Sequence, residues 1–300
     1  MAVSGSKNFE PDVAEYIEEA FERCGLELRT GYDAKTARRS LNFLFADWAN
    51  RGLNLWTIEQ ITQTLAQLST SSAVATYPIG VITMTVGDSS SFSVGETITG
   101  GTSAVTASII TLPSSTTMTL TVPSGSFTAA ETITGSSSAA TTTVTADPGL
   151  ADVQATVDVL EAVIRRDSED LAINRIGRSN YLNIPKKTTQ SRPTQFYVNR
   201  QITPTITVWP LPENSTDQLI YYRIKRLEDA DVATNNADIP FRFLPCLVAG
   251  LSYHIALKKS PTRVEALKLI YEEEFARAAA QDIDHGVPLR LVPTAQSLRV

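Results

Sequence analysis

Pro11-Asp12-Val13-Ala14-Glu15-Tyr16-Ile17-Glu18-Glu19-Ala20-Phe21-Glu22-Arg23-Cys24-Gly25, and then Thr30-Gly31-Tyr32-Asp33-Ala34-Lys35-Thr36-Ala37-Arg38-Arg39-Ser40-Leu41-Asn42-Phe43-Leu44-Phe45-Ala46-Asp47-Trp48, read as two amphipathic helices. In the first, Val13, Tyr16, Ile17, Ala20, Phe21 and Cys24 recur at the three-and-four interval that lays an apolar stripe along one helix face. Pro11 suits a first helical position, Asp12 and Glu15 suit the positive end of the helix dipole, and Gly25 supplies a left-handed stop. The second helix is expected to take Asp33 as its N-cap, to bury Ala37, Leu41, Leu44, Phe45 and Trp48, and to end before Gly52. Lys35, Arg38, Arg39, Asn42 and Asp47 then fall mostly on its other face. Periodicity alone makes this an αα-hairpin of some core, and fold does not dictate function.

Two further helices are predicted near the other end of the chain. The first runs from about Pro240 to Lys259 with Leu244, Leu247, Val248, Leu251 and Ile255 on its apolar face. Ser260-Pro261 caps the second, in which Val264, Leu267, Ile270 or Tyr271, and Phe275 recur at helical spacing. Between the helical ends lie strands. Phe196, Val198 and Thr205-Ile206-Thr207-Val208-Trp209 look paired, with prolines at 193, 204, 210 and 212 marking ends or an exposed edge. Residues 219–227 form another strand, with Tyr222, Ile224 and Arg226 on one face and Tyr221, Arg223 and Lys225 on the other. Residues 173–184 read as a short helix followed by a loop.

From about Tyr77 to Asp147 the composition shifts to Ser, Thr, Gly, Ala and Val. Phe92-Ser93-Val94-Gly95-Glu96-Thr97-Ile98-Thr99-Gly100 returns as Phe127-Thr128-Ala129-Ala130-Glu131-Thr132-Ile133-Thr134-Gly135, a period of about 35 residues. Strand-like alternation precedes each copy, at Ile82-Thr83-Met84-Thr85-Val86 and Met118-Thr119-Leu120-Thr121-Val122. Two copies are too few for a solenoid, so the stretch reads as a small all-β module in which two related hairpin units close over one core. Removing it would make residues 65–77 and 156–165 consecutive strands of one sheet, an insertion at a hairpin tip that projects from the body.

The fold class is therefore α+β: a helical bundle from the N- and C-terminal helices, a small antiparallel β-sheet domain, and an inserted all-β module with a tandem repeat. The body takes residues 1–77 and 151–300, with helices at 11–24, 33–51, 240–259 and 261–283 and a sheet from 60–77, 156–166 and 195–227. The module takes residues 78–150, and residues 287–300 form an extended tail.

Composition sets limits on function. Three hundred residues, 42% hydrophobic and 19% charged, suit a globular chain with one large or two ordinary domains. A net charge of −6 argues against gripping nucleic acid by phosphate neutralisation, but not against DNA as a passing cargo. Cys24 and Cys246 lie on apolar helix faces and read as buried thiols of a reducing cytosol. No segment has the form of a signal peptide or approaches the length of a membrane span, which implies assembly inside the producing cell.

Catalytic chemistry finds little to use. The two histidines, His254 and His285, lack metal-ligand partners at suitable spacing, so no metal or cofactor is expected. Asp282-Ile283-Asp284-His285-Gly286 has the glycine too early for a calcium loop and no closing glutamate. No Walker loop, dinucleotide fingerprint or nucleophile elbow occurs. Glu272-Glu273-Glu274 offers carboxylates of the kind glycan cleavage needs, although adjacent helical residues point in different directions.

Particular strings carry a resemblance. Thr30-Gly31-Tyr32-Asp33, Thr36-Ala37-Arg38-Arg39-Ser40-Leu41-Asn42 and Trp48-Ala49-Asn50-Arg51-Gly52-Leu53-Asn54-Leu55-Trp56 are followed downstream by Val157-Asp158-Val159-Leu160-Glu161-Ala162-Val163-Ile164-Arg165-Arg166, Arg192-Pro193-Thr194-Gln195-Phe196-Tyr197-Val198 and Pro240-Phe241-Arg242-Phe243-Leu244-Pro245-Cys246-Leu247-Val248-Ala249-Gly250-Leu251. Together they resemble the head-to-tail adaptor proteins of short-tailed bacteriophages, also called head-completion or tail-tubular proteins. The resemblance covers most of the chain outside residues 78–150 and implies a non-enzymatic virion protein at the head-tail junction, assembled in the bacterial host cytoplasm. It further implies a homo-oligomer, a ring of twelve, between the portal protein and the tail nozzle protein, with double-stranded DNA passing through unbound. Leu289, Arg290, Leu291, Val292, Leu298 and Val300 of the tail are then expected to bind the portal. Arg38, Arg39 and Asp47 are expected at a subunit interface, and residues 78–150 are expected to meet a tail fibre or spike. The alternatives are a carbohydrate-binding or adhesion virion protein, supported by the β repeat, and a cell-wall glycan hydrolase using the glutamates.

Overall fold

The computed structural model describes residues 9–52, 55–65, 75–121, 123, 125–145, 151–214 and 216–282. It is α+β, and it divides into two compact units: residues 1–56 with 227–300, and residues 57–226. The first is helical and the second carries two sheets.

In the helical unit, α1 spans Val13–Arg23. The Asp12 carboxylate accepts from the Glu15 N–H while the Glu15 carboxylate accepts from the Asp12 N–H, a reciprocal capping box. Asp12 is thus the extended cap residue, and Pro11 lies just outside the helix instead of at its first position. Gly25, at φ +69°, follows the last turn in the left-handed conformation its missing Cβ allows. Helix α2 spans Gly31–Arg51 and starts earlier than Asp33. Thr30 Oγ1 accepts from the Asp33 N–H, so Thr30 is the cap and Asp33 stands in the first turn, paired with Lys259.

Helices α5 (Leu244–Lys259) and α6 (Val264–Gln281) each follow a single 3-10 turn, at Phe241–Phe243 and Pro261–Arg263, and so begin later than the spacing predicts. The short turns are closed by Phe243 N–H to Pro240 C=O and Arg263 N–H to Ser260 C=O. Helix α5 packs against α1, α2 and α6 and is buried nearly all round, from Cys246 to Ser252 and again at Ile255 and Ala256. Gly250 makes this contact possible, because a Cβ there would stand 2.9 Å from the side chains of Leu44 and Tyr271. Trp48, Phe21 and Tyr271 fill the same core. Tyr271, not Ile270, is the inward residue of α6.

The second unit contains a seven-stranded sheet built from β1 (Ile58–Thr64), β2 (Ala75–Pro78), β9 (Thr156–Arg166), β10 (Glu169–Arg175), β11 (Gln195–Asn199), β12 (Thr205–Trp209) and β13 (Gln218–Lys225). Its order is β1-β13-β9-β10-β11-β12-β2, antiparallel except between β10 and β11. Residues 169–175 thus begin as a strand, with Ile173 paired to Ala162, and a short helix α4 (Arg178–Leu182) follows only afterwards. Nor are β2 and β9 neighbours: β2 pairs with β12 at the sheet edge, whereas β9 lies between β13 and β10. Backbone pairing is non-local, and nothing in residues 75–78 specifies which strand they will meet.

Six further strands, β3 (Val81–Thr85), β4 (Thr97–Gly100), β5 (Thr106–Ser114), β6 (Thr117–Thr121), β7 (Thr132–Gly135) and β8 (Thr141–Thr143), make the second sheet in the order β3-β6-β5-β4-β7-β8. Their inward residues, including Met84, Ile98, Met118, Leu120 and Ile133, pack with Phe127 from the segment before β7 in a core separate from that of the seven-stranded sheet.

Candidate functional site

The repeated Glu-Thr-Ile-Thr-Gly strings lie side by side as β4 and β7, with Thr99 opposite Thr134. Each glutamate is buried, and each reaches into the turn of the other copy. Glu96 accepts from the N–H groups of Ser137 and Ser138 at 3.2 and 3.0 Å, from both of their hydroxyls, and from its own neighbour Ser93 N–H at 2.6 Å. Glu131 accepts from the N–H groups of Thr102 and Ser103, from the Ser103 hydroxyl, and from Thr128 N–H. Burial by itself would raise the Glu96 pKa, but the hydrogen bonds from Ser138, Ser93 and Ser137 together outweigh it and hold the carboxyl at about 2. The closing glycines follow from the same geometry: a Cβ on Gly135 would stand 2.6 Å from the Glu96 carboxylate, and one on Gly100 would stand 2.7 Å from that of Glu131. These glutamates are turn clamps, satisfied on every side, and have no proton to exchange at neutral pH.

A second buried cluster sits where the chain passes between the two sheets, at the short helix α3 (Ala151–Gln154). Arg223, fully buried on β13, donates to Glu59 at 2.7 Å, to the Asp152 carboxylate at 2.6 Å and backbone carbonyl at 3.2 Å, and to Thr156 Oγ1 at 3.0 Å. Asp152 accepts in addition from Val81 N–H, and Thr156 donates to the Ile79 carbonyl at 3.4 Å. The outgoing residues 79–81 and the returning residues 152–156 are therefore clasped together at one arginine. Gly80 has φ +127° and sits so close that a Cβ would stand 2.5 Å from the guanidinium. Strand alternation foresees Tyr221 and Arg223 on a shared face; that this face is the buried one emerges only from the fold.

In the helical unit, the fully buried Trp48 indole donates to Tyr271 Oη at 3.0 Å, and Tyr271 donates to Asp47 at 3.0 Å. Arg51 bridges Asp47 at 2.7 Å and Glu272 at 2.7 and 3.0 Å, and lies over the Tyr271 and Phe275 rings. The Arg51 guanidinium holds the Glu272 carboxyl below the usual carboxylate range, whereas a glycosidase general acid needs the opposite shift. Glu274 pairs with Arg277, and Asp282 pairs with Arg242 while accepting from Leu55 N–H. His254 is half-buried against Tyr253, with its pKa lowered by burial. Cys24 and Cys246 are free and buried. Among the described residues no group of His, Cys, Asp and Glu is arranged to hold a metal ion, and no helix is long and apolar enough to cross a membrane.

Of the residues expected at a subunit interface, Arg38 donates to the Asp231 carbonyl at 2.6 Å and Asp47 serves the Tyr271 and Arg51 network, so both work within the chain. Arg39 is exposed. Leu289, Arg290, Leu291, Val292, Leu298 and Val300 lie outside the described residues, as does His285.

A family model described as SU10 adaptor protein matches residues 27–292, a span that includes both units. The chain belongs to the SU10 adaptor protein family. It is thus a phage adaptor-type protein, and the family points to a structural virion component rather than an enzyme. No curated protein matches the chain. Two strings that carry the family resemblance coincide with positions of structural consequence in this SU10 adaptor: Trp48 and Arg51 of the polar network, and Gly250 at the crossing of three helices.

Proposed function

We propose that the protein forms a ring joining the portal of the phage head to the tail nozzle, with a channel through which DNA passes. The observation that carries this is the family match across residues 27–292, read with polar side chains that, among the described residues, are engaged in packing and internal polar contacts. The ring has about twelve copies by family resemblance, and a closed ring requires two different complementary faces on each subunit. A charge of −6 per chain then amounts to about −70 per ring, which lets DNA slide without sticking. Residues 287–300 dock on the portal by strand addition, with Leu289 and Leu291 filling alternate pockets and Arg290, Val292, Leu298 and Val300 beside them.

Residues 78–150 are an appended module. The support is the clasp at Arg223, which brings residue 79 within hydrogen-bonding distance of residue 156, as an insertion needs if the sheet is to close without it. The module meets a tail fibre, a spike or a neighbouring virion protein. The decisive experiment is the mass of the purified full chain with and without portal protein. Ring-sized assemblies that include the portal support this reading, and a monomer under both conditions refutes it.

A further inference from the structure

The helical unit carries two exposed faces of opposite charge. One is a groove of about 580 Å³ between α1 and the start of α5. Its apolar lining includes Phe9 and Phe241, 70% and 74% exposed, with Leu244 and Pro245 beside them. Along its α1 rim stand Glu15, Glu18, Glu19 and Glu22, against a single lining cation among the described residues, Arg23, which is paired to Glu19. Glu18 and Glu22 have no ion-pair partner among the described residues. The field is felt locally: burial raises the Tyr16 pKa, and Glu15 and Glu10 push it the same way.

The other face is a stripe on α2. Tyr32, Lys35, Arg39, Phe43, Ala46 and Asn50 are all exposed and follow the three-and-four spacing of one helix side. Tyr32 and Phe43 are 72% and 62% exposed, large aromatic surface for a helix that already buries a full stripe on its opposite side. Lys35 and Arg39 make no ion pair among the described residues. Lys258, which reaches Ser40 on this helix, has its pKa lowered by burial and then by the positive charge of Arg39. The groove is lined by α1 and the start of α5, whereas the stripe lies on the side of α2 opposite its buried residues, so the two faces are separate patches.

We propose that the α1 groove of one copy receives the α2 stripe of the next. Both faces present aromatic surface with charge around it, their charges are opposite, and they are carried by one rigidly packed set of helices. This is the heterologous arrangement that a ring of identical subunits requires. The inference rests on the ring proposed above and supplies its contact: Phe43 and Tyr32 enter the groove beside Phe9 and Phe241, and Lys35 and Arg39 face Glu18 and Glu22.

The test uses two charge-reversed full-length chains, Glu18→Lys with Glu22→Lys, and Lys35→Glu with Arg39→Glu. Each alone should lose assembly by at least about tenfold, because its altered face now meets a like-charged one. An equimolar mixture should recover it, since each altered face finds its complement on the other chain. Recovery in neither the mixture nor a chain carrying all four changes overturns the proposal, as does undiminished assembly of either variant alone. A second measurement separates this contact from the ring. A chain with Glu18→Cys and Arg39→Cys, oxidised, should give a ladder of cross-linked species ending in one closed form. A ladder without closure keeps the contact and rejects the ring. Rings of unmodified chain whose Glu18→Cys, Arg39→Cys counterparts never cross-link keep the ring and reject the contact.

Discussion

Replacing Glu96 by alanine tests whether the reciprocal glutamates hold the six-stranded sheet together. The carboxylate, 6% exposed, accepts hydrogen bonds from three backbone amides and two hydroxyls. Hydrogen bonds to a charged group contribute about 1.5–3 kcal/mol each, but Ser93 and Ser137 are exposed and water takes over part of their donors. The net loss should be about 3 kcal/mol, carried mainly by the half-buried Ser138 turn, with Glu131→Ala costing a similar amount through Thr102 and Ser103. Hydrogen exchange reads this directly: amides of β4 and β7 should exchange about 100-fold faster while those of α5 are unchanged. The pH dependence has a definite sign. A carboxyl held at about 2 in the folded protein contributes stability that is fully present above its unfolded value of about 4.3 and is lost as pH falls through 2. Acidification over that window should therefore destabilise the unaltered module more than the Glu96→Ala variant. A loss under about 1 kcal/mol, or equal acid sensitivity in the two proteins, refutes the reasoning.

Further outcomes are expected at three other positions. Arg223→Met should destabilise the sheet unit by about 3 kcal/mol in urea unfolding, because it strips Glu59, Asp152 and Thr156 of their shared donor at once. Arg223→Lys should recover little of this, since an ammonium cannot span acceptors set around a planar fork. Tyr271→Phe should lower the stability of the helical unit by about 1–3 kcal/mol, measured by the urea midpoint in far-ultraviolet circular dichroism, as the buried Trp48 N–H loses its acceptor. Ala130→Gly should raise the thermal midpoint of the module, by about 1 kcal/mol in stability, because Ala130 sits at φ +63° where the equivalent residue of the first copy is Gly95.

Much of this architecture was legible in residue order. The apolar stripes of α1 and α2 are local periodicities, and the residues read as inward, from Val13 to Cys24 and from Ala37 to Trp48, are the buried ones. The Phe-x-x-x-Glu-Thr-Ile-Thr-Gly repeat was visible too, but not the reason for its glutamate, whose partners lie 41 and 42 residues further along. Thr30 and Asp33 are both good caps, and only the backbone shows that Thr30 is the extended one. Arg38 and Asp47 fall on the outer side of a helical wheel, which shows the side a residue occupies but not that the Asp231 carbonyl and the Tyr271 hydroxyl lie within their reach. Helix faces, turn chemistry and the repeat are written in residue order, because each is governed by neighbours a few residues away. Tertiary structure alone decided that β2 joins β12, that Arg223 is the buried clasp between outgoing and returning chain, and that two glutamates exchange turns. Each of these depends on segments far apart in the chain, whose pairing is selected by the burial and hydrogen-bond satisfaction of the whole sheet rather than by any residue's own preference.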